Sequence, residues 1–90
     1  MQHLEIKITG RVQGVGFRYF VHHMAGKYNI KGWVRNTFDG GVEILAEGSE
    51  GDLANFIGRV KQGPSLARIE NVFIDKSEDI TGYKYFEVRF

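Results

Sequence analysis

The apolar residues of this 90-residue chain change their period along its length, and the order of those changes limits the architectures open to it. Leu4, Ile6 and Ile8 alternate with Glu5, Lys7 and Thr9, a period of two that suits a strand with one buried face. In "RYFVHHMAGKYN", Arg18 to Asn29, the period lengthens. Together with Phe17, residues Phe20, Val21, Met24 and Tyr28 recur at three- and four-residue spacings, as on one side of a helix. Gly26 weakens that helix by about 1 kcal/mol relative to alanine, and Asn29 is its expected stop. Period two returns in "IKGWVRN", with Ile30, Gly32, Val34 and Asn36 on one face and Lys31, Trp33 and Arg35 on the other. "TFDGG" carries the Asp-Gly signal of a hairpin, and "GVEILAEG" is the returning strand, with Val42, Ile44 and Ala46 on one face. Ser49 caps a second helix, with Asp52 near its positive end and Leu53, Phe56, Ile57 and Val60 as its apolar stripe. Gly63-Pro64 ends it. Two strands follow. "ARIENVFIDK" alternates irregularly, which predicts a bulge. "YKYFEVRF" places Phe86, Val88 and Phe90 inward and Glu87 and Arg89 outward.

Strand, helix, strand, strand, helix, strand and a last strand is the split β-α-β order. The expected fold class is α+β: a ferredoxin-like sandwich with an antiparallel sheet of four main strands plus a short fifth, and two helices on one face. Residues 1–90 have room for one core and form one domain, with no linker or repeat. A net charge of +1 argues against a basic nucleic-acid binder and an acidic tail. With no cysteine there is no disulfide, thiolate metal site or Cys nucleophile, and a cytoplasmic location is expected. No leader pattern and no apolar run near the ~20 residues of a membrane span occur, so no membrane partner is expected. This fold hosts many activities, so function has to come from particular residues.

The stretch "GRVQGVGFR", Gly10 to Arg18, joins the first strand to the first helix. The N–H groups at a helix start lack internal partners, and the dipole makes that end positive. Glycines let the backbone curl without blocking an approaching anion, and an arginine adds a planar charged fork matched to phosphate oxygens. No Ser, Thr, Asp or Asn lies between Gly10 and Arg18 to cap the helix. Two readings stay open on these grounds: a tight strand-to-helix connection, or an anion cradle with N–H groups from Gly14, Val15, Gly16 and Phe17 beside Arg18. A Walker A loop is excluded, because no Lys-Ser/Thr follows. A dinucleotide fingerprint is excluded by glycine spacing.

The second informative stretch is "GWVRNTFDGGVEILAEG", Gly32 to Gly48. Together with "ITGRVQGVGFR", Ile8 to Arg18, it resembles the acylphosphatase family. Gly32, Trp33, Val34, Arg35, Asn36, Gly40, Val42 and Gly48 fill the family's second pattern without departure, and the likeness extends over essentially the whole chain. The resemblance implies hydrolysis of the carboxyl-phosphate bond of a small-molecule acyl phosphate, with no metal or organic cofactor. It makes Arg18 the phosphate-binding arginine and Asn36 the residue that orients the attacking water. The N–H groups of Gln13, Gly14, Val15, Gly16, Phe17 and Arg18 become the phosphate-binding loop. A monomer is expected. The alternative is a module of the same fold that holds phosphate or carbamoyl phosphate without turning it over. Taken without the resemblance, Asn36 reads as a strand-end residue whose side chain serves the turn, and Arg18 as an ordinary solvated arginine.

Other polar residues have weaker claims. His22 and His23 are about 100° apart on a helix, so they suit one surface and one half-buried position rather than one metal ion. His3 is expected to be exposed, and Glu43, Glu47, Glu70 and Asp75 to lie on a solvated face. Arg11 adds positive potential near the loop. Trp33, Phe73, Tyr83 and Tyr85 read as core or sheet-face cover, since the RNA-recognition signature is absent and no nucleic-acid partner is expected.

Overall fold

A computed structural model describes all residues, Met1–Phe90. The strand and helix periods become β1 (Gln2–Arg11), α1 (Phe17–Lys27), β2 (Lys31–Asn36), β3 (Val42–Gly48), α2 (Glu50–Val60), β4 (Arg68–Ser77) and β5 (Phe86–Val88). The alternating residues Leu4, Ile6 and Ile8 of β1 and Val42, Ile44 and Ala46 of β3 are buried under the helices. Phe17, Val21, Met24 and Ala25 of α1 and Leu53, Phe56 and Val60 of α2 pack onto them in one continuous core. The helix ends follow local chemistry. Ser49 Oγ accepts from the Asp52 N–H at 3.1 Å, and Asn29 leaves α1 with φ +58°, a value asparagine tolerates better than most residues.

The sheet runs in the order β4-β1-β3-β2-β5. β3 is antiparallel to both β1 and β2, so those two strands run parallel to each other and end at the same edge. Ile8 and Asn36 both pair with Val42, from its two sides. They therefore sit level, two strand spacings or about 10 Å apart. This topology brings the loop after β1 and the end of β2 to one place. The expected bulge falls in β4, where Thr9 and Gly10 face Asn71 and Ile69 and Glu70 is skipped.

The four main strands are antiparallel to their neighbours, as expected, and the short fifth, β5, adds a parallel pairing with β2 that makes the sheet mixed. Several expectations need correction. β4 and β5 lie at opposite edges, so residues 78–85 have to cross the sheet before β5 enters beside β2. β5 is also shorter than the pattern implied: Phe86 is buried, but Phe90 is 91% exposed beyond the strand's end. His3 and Glu47 are buried, at 7% and 1% exposure, not solvated. They face away from the helices, as their alternation requires, but the crossing segment covers them there. Trp33 lies on that same face under sheet-face cover, with its Nε1–H 3.3 Å from Tyr83 Oη and the Arg35 and Arg89 guanidinia over its ring. His22 and His23 are both exposed.

Candidate active site

The loop between β1 and α1 is held at both ends by the core. Val12 and Phe17 are each 1% exposed, while Gly14 and Gly16 between them are exposed. Gly14 and Gly16 have φ of +74° and +77°, in the left-handed region that side chains disfavour. A Cβ at either position would meet nothing within 4 Å, so backbone conformation and not crowding demands glycine there. Gly16 is the N-cap of α1 and supplies no side-chain cap, and no acidic residue stands in the first turn. None of the N–H groups from Gln13 to Arg18 donates to a backbone acceptor. A run of free donors at the positive end of a helix favours an anion.

Arg18 and Asn36 meet over this loop. A cleft of about 100 Å³ is lined by Val12, Gly14, Gly16, Phe17, Arg18, Tyr19 and Asn36. That is small beside the roughly 300–1,000 Å³ of pockets for drug-sized ligands, and suits a compact end group. The Arg18 guanidinium donates from Nη1 to the Arg89 carbonyl at 3.0 Å and lies 4.5 Å from the centroid of the Phe90 ring. Both partners are neutral, so they orient its positive charge without cancelling it. Two cations near the site are paired, Arg35 with Glu43 at 2.8 Å and Lys7 with Asp39 at 2.9 Å. Arg18 is the guanidinium that lines the cleft.

Asn36 is also unencumbered. The hairpin after it is fastened by other residues: the Gly41 N–H donates to Thr37 Oγ1 and to Asp39 Oδ1, both at 3.2 Å. Lys7 Nζ reaches Thr37 Oγ1 and Asp39 Oδ1, each at 2.9 Å. Hydrogen bonds from Thr37, then Lys7, then the Gly41 N–H hold the Asp39 carboxyl down to about 2. The Asn36 carboxamide therefore has no part in fastening the turn and is free to face the cleft.

Gln13 has a second role that its place in the loop did not announce. Its Nε2 donates to the Thr37 carbonyl at 2.7 Å and the Gly41 carbonyl at 2.9 Å. One amide thereby ties the glycine loop to the hairpin that follows Asn36. Lys7, Thr37 and Asp39 were likewise missed. Lys7 stands on the exposed side of an alternating strand, and only the sheet register shows that the Thr37–Gly41 turn folds back over it. The loop residues Gln13, Gly14, Val15, Gly16, Phe17 and Arg18 are contiguous, and the fold adds Asn36 to them. It does not add His22, His23 or Glu70. No group of three or more His, Cys, Asp or Glu side chains is placed to hold a metal ion.

Comparison with known proteins agrees with this geometry. The family model described as Acylphosphatase matches residues 4–88. An acylphosphatase of Bacillus licheniformis is 40% identical over 90 residues, covering all of both chains. One from Archaeoglobus fulgidus is 48% identical over 87 residues, covering 97% of each. The crystal structure of acylphosphatase from Bacillus subtilis superposes with a TM-score of 0.98 at 42% identity, again over the whole of both chains. Motifs, fold and full-length likeness converge, and the chain belongs to the acylphosphatase family, enzymes that hydrolyse acyl phosphates.

Proposed function

We propose that this chain hydrolyses the carboxyl-phosphate bond with its phosphoryl group held by the loop N–H groups of residues 13–18 and by Arg18, and with the attacking water aimed by Asn36. The observation that carries the reading is the convergence, in one small cleft, of N–H groups with no backbone acceptor, an arginine with no carboxylate partner and an amide with no role in the turn.

An acyl phosphate is an activated mixed anhydride, and its carboxylate leaves without a strong general acid. Phosphoryl transfer then needs position and stabilisation of the charge on the equatorial oxygens. The loop donors and the Arg18 fork supply that stabilisation from fixed positions. Asn36 accepts a hydrogen from water, or donates to its oxygen, and aims it in line, opposite the leaving carboxylate. The water's oxygen bonds to phosphorus as the P–O bond to the acyl group breaks, and a phosphate oxygen takes the proton. The carboxylate leaving group gives a metal no necessary task in this scheme.

Arg18→Ala is the test. We expect kcat/KM to fall by roughly 10³-fold or more, the range of arginines that stabilise phosphoryl-transfer charge, with inhibition by inorganic phosphate weakened in parallel. Phosphate affinity unchanged by the substitution would remove Arg18 from the scheme. A wild-type chain that binds phosphate but turns over acyl phosphates no faster than buffer would instead be a holding module.

A further inference from the structure

Glu47 is a buried carboxylate on the central strand β3, with no role in the cleft. It accepts four hydrogen bonds. The His3 ring approaches through Nδ1 at 2.7 Å, and the N–H groups of Thr81, Gly82 and Tyr83 donate at 2.6, 2.9 and 3.3 Å. Burying a carboxylate is costly unless it is paired and hydrogen-bonded, so this one is committed to its donors. Three of them belong to the irregular segment that crosses the sheet between β4 and β5. Because β3 is the middle strand, Glu47 pins that segment halfway across.

From this pin the chain runs in one direction toward the active site. Trp33 Nε1 reaches Tyr83 Oη at 3.3 Å, and the Gly32 N–H donates to the Tyr85 carbonyl at 3.1 Å. β5 then pairs with β2 for only three residues, Phe86 to Val88. Beyond it the Arg89 N–H donates to the Val34 carbonyl at 2.8 Å, and the Arg89 carbonyl and Phe90 ring receive Arg18. Glu47 pairs with Lys31 at the far end of β2, whereas Asn36 pairs with Val42. Pin and site are therefore five strand residues or about 17 Å apart. A short edge pairing alone is a weak tether for a strap that has to orient a guanidinium.

We propose that Glu47 is a positioning residue for Arg18, acting through residues 81–90 as an anchored strap. The proposal rests on Arg18 being the phosphoryl ligand. It implies a reciprocal coupling: if the anchored strap favours phosphate binding, bound phosphate favours the anchored strap.

That coupling can be read in the wild-type protein by amide hydrogen exchange with and without saturating inorganic phosphate. Phosphate should slow exchange in residues 13–18 and also at Thr81, Gly82 and Tyr83, and the slowing at 81–83 should vanish in Arg18→Ala. Protection confined to residues 13–18 would overturn the strap while leaving the site intact. No protection anywhere would overturn the site and the strap together. Glu47→Gln, assayed where the variant is fully folded, should raise the phosphate inhibition constant and KM by about tenfold, within the usual range of couplings between distant sites. It should also move the Arg18 Nε–H resonance. A variant with lowered Tm but wild-type inhibition constant, KM and Arg18 resonance would show Glu47 to be structural only.

Discussion

Gln13→Leu separates holding the phosphoryl group from aiming the water. The substitution keeps the loop's backbone donors and roughly the side chain's volume. It removes the two hydrogen bonds, at 2.7 and 2.9 Å, that tie the loop to the turn after Asn36. Each such bond contributes about 0.5–1.5 kcal/mol net, and partial exposure lets water replace some of it, so the tie is worth about 1–2 kcal/mol. If that energy keeps Asn36 aligned with the phosphoryl group, kcat falls by about 5- to 30-fold at 1.36 kcal/mol per decade. Tm should drop by several degrees, given about 4–8 °C per kcal/mol for a domain of this size. The assay is steady-state hydrolysis of an acyl phosphate well below Tm, with inorganic phosphate as inhibitor. The inhibition constant should stay within about threefold of wild type, because the phosphate donors are untouched. A kcat equal to wild type would refute the alignment role. A parallel loss of kcat and phosphate affinity would show that Gln13 shapes the cradle itself.

Three further outcomes are expected. Gly16→Val places a β-branched residue at φ +77°, a strain of about 1–2 kcal/mol, and activity should fall well beyond what the accompanying Tm shift explains; an active variant would dissociate the loop from catalysis. Burial pushes the Glu47 carboxyl up, but hydrogen bonds from His3 and then from Thr81, Gly82 and Tyr83 hold it below its ordinary 4.5. A carboxyl more acidic folded than unfolded adds stability that is complete above the unfolded value and lost as pH falls through the folded one. Thermal denaturation should therefore show an acid-side loss of Tm that is shallower in Glu47→Gln, and parallel curves for the two proteins would contradict this. EDTA should leave hydrolysis unchanged while inorganic phosphate inhibits competitively, and an activity restored only by added divalent metal would require a different mechanism.

The fold was largely legible because each element's period matched its place. Leu4, Ile6 and Ile8 alternate because one face of β1 meets helices, and Leu53, Phe56 and Val60 recur because α2 lies on that face. That Arg18 and Asn36 would come to line one cleft was legible because two long motifs marked them. The partners of those residues were not. Lys7, Thr37 and Asp39 meet through strand register, and Gln13 reaches the hairpin across two strands, which no local spacing encodes. Alternation also told which face His3 and Glu47 occupy but not that residues 81–83 cover that face. Phe90 continued an inward pattern in sequence, yet β5 ends at Val88 and leaves its ring to Arg18.

The division of labour in the cleft is tested most directly by Asn36→Ala, with kcat measured on an acyl phosphate and the inhibition constant measured for inorganic phosphate. If Asn36 aims the water, its loss should lower kcat by roughly 10²-fold, while phosphate binding stays within about threefold of wild type. Near-normal kcat, or a loss of phosphate affinity as large as the loss of rate, would contradict the assignment of the water to Asn36 and of the phosphoryl group to the loop and Arg18.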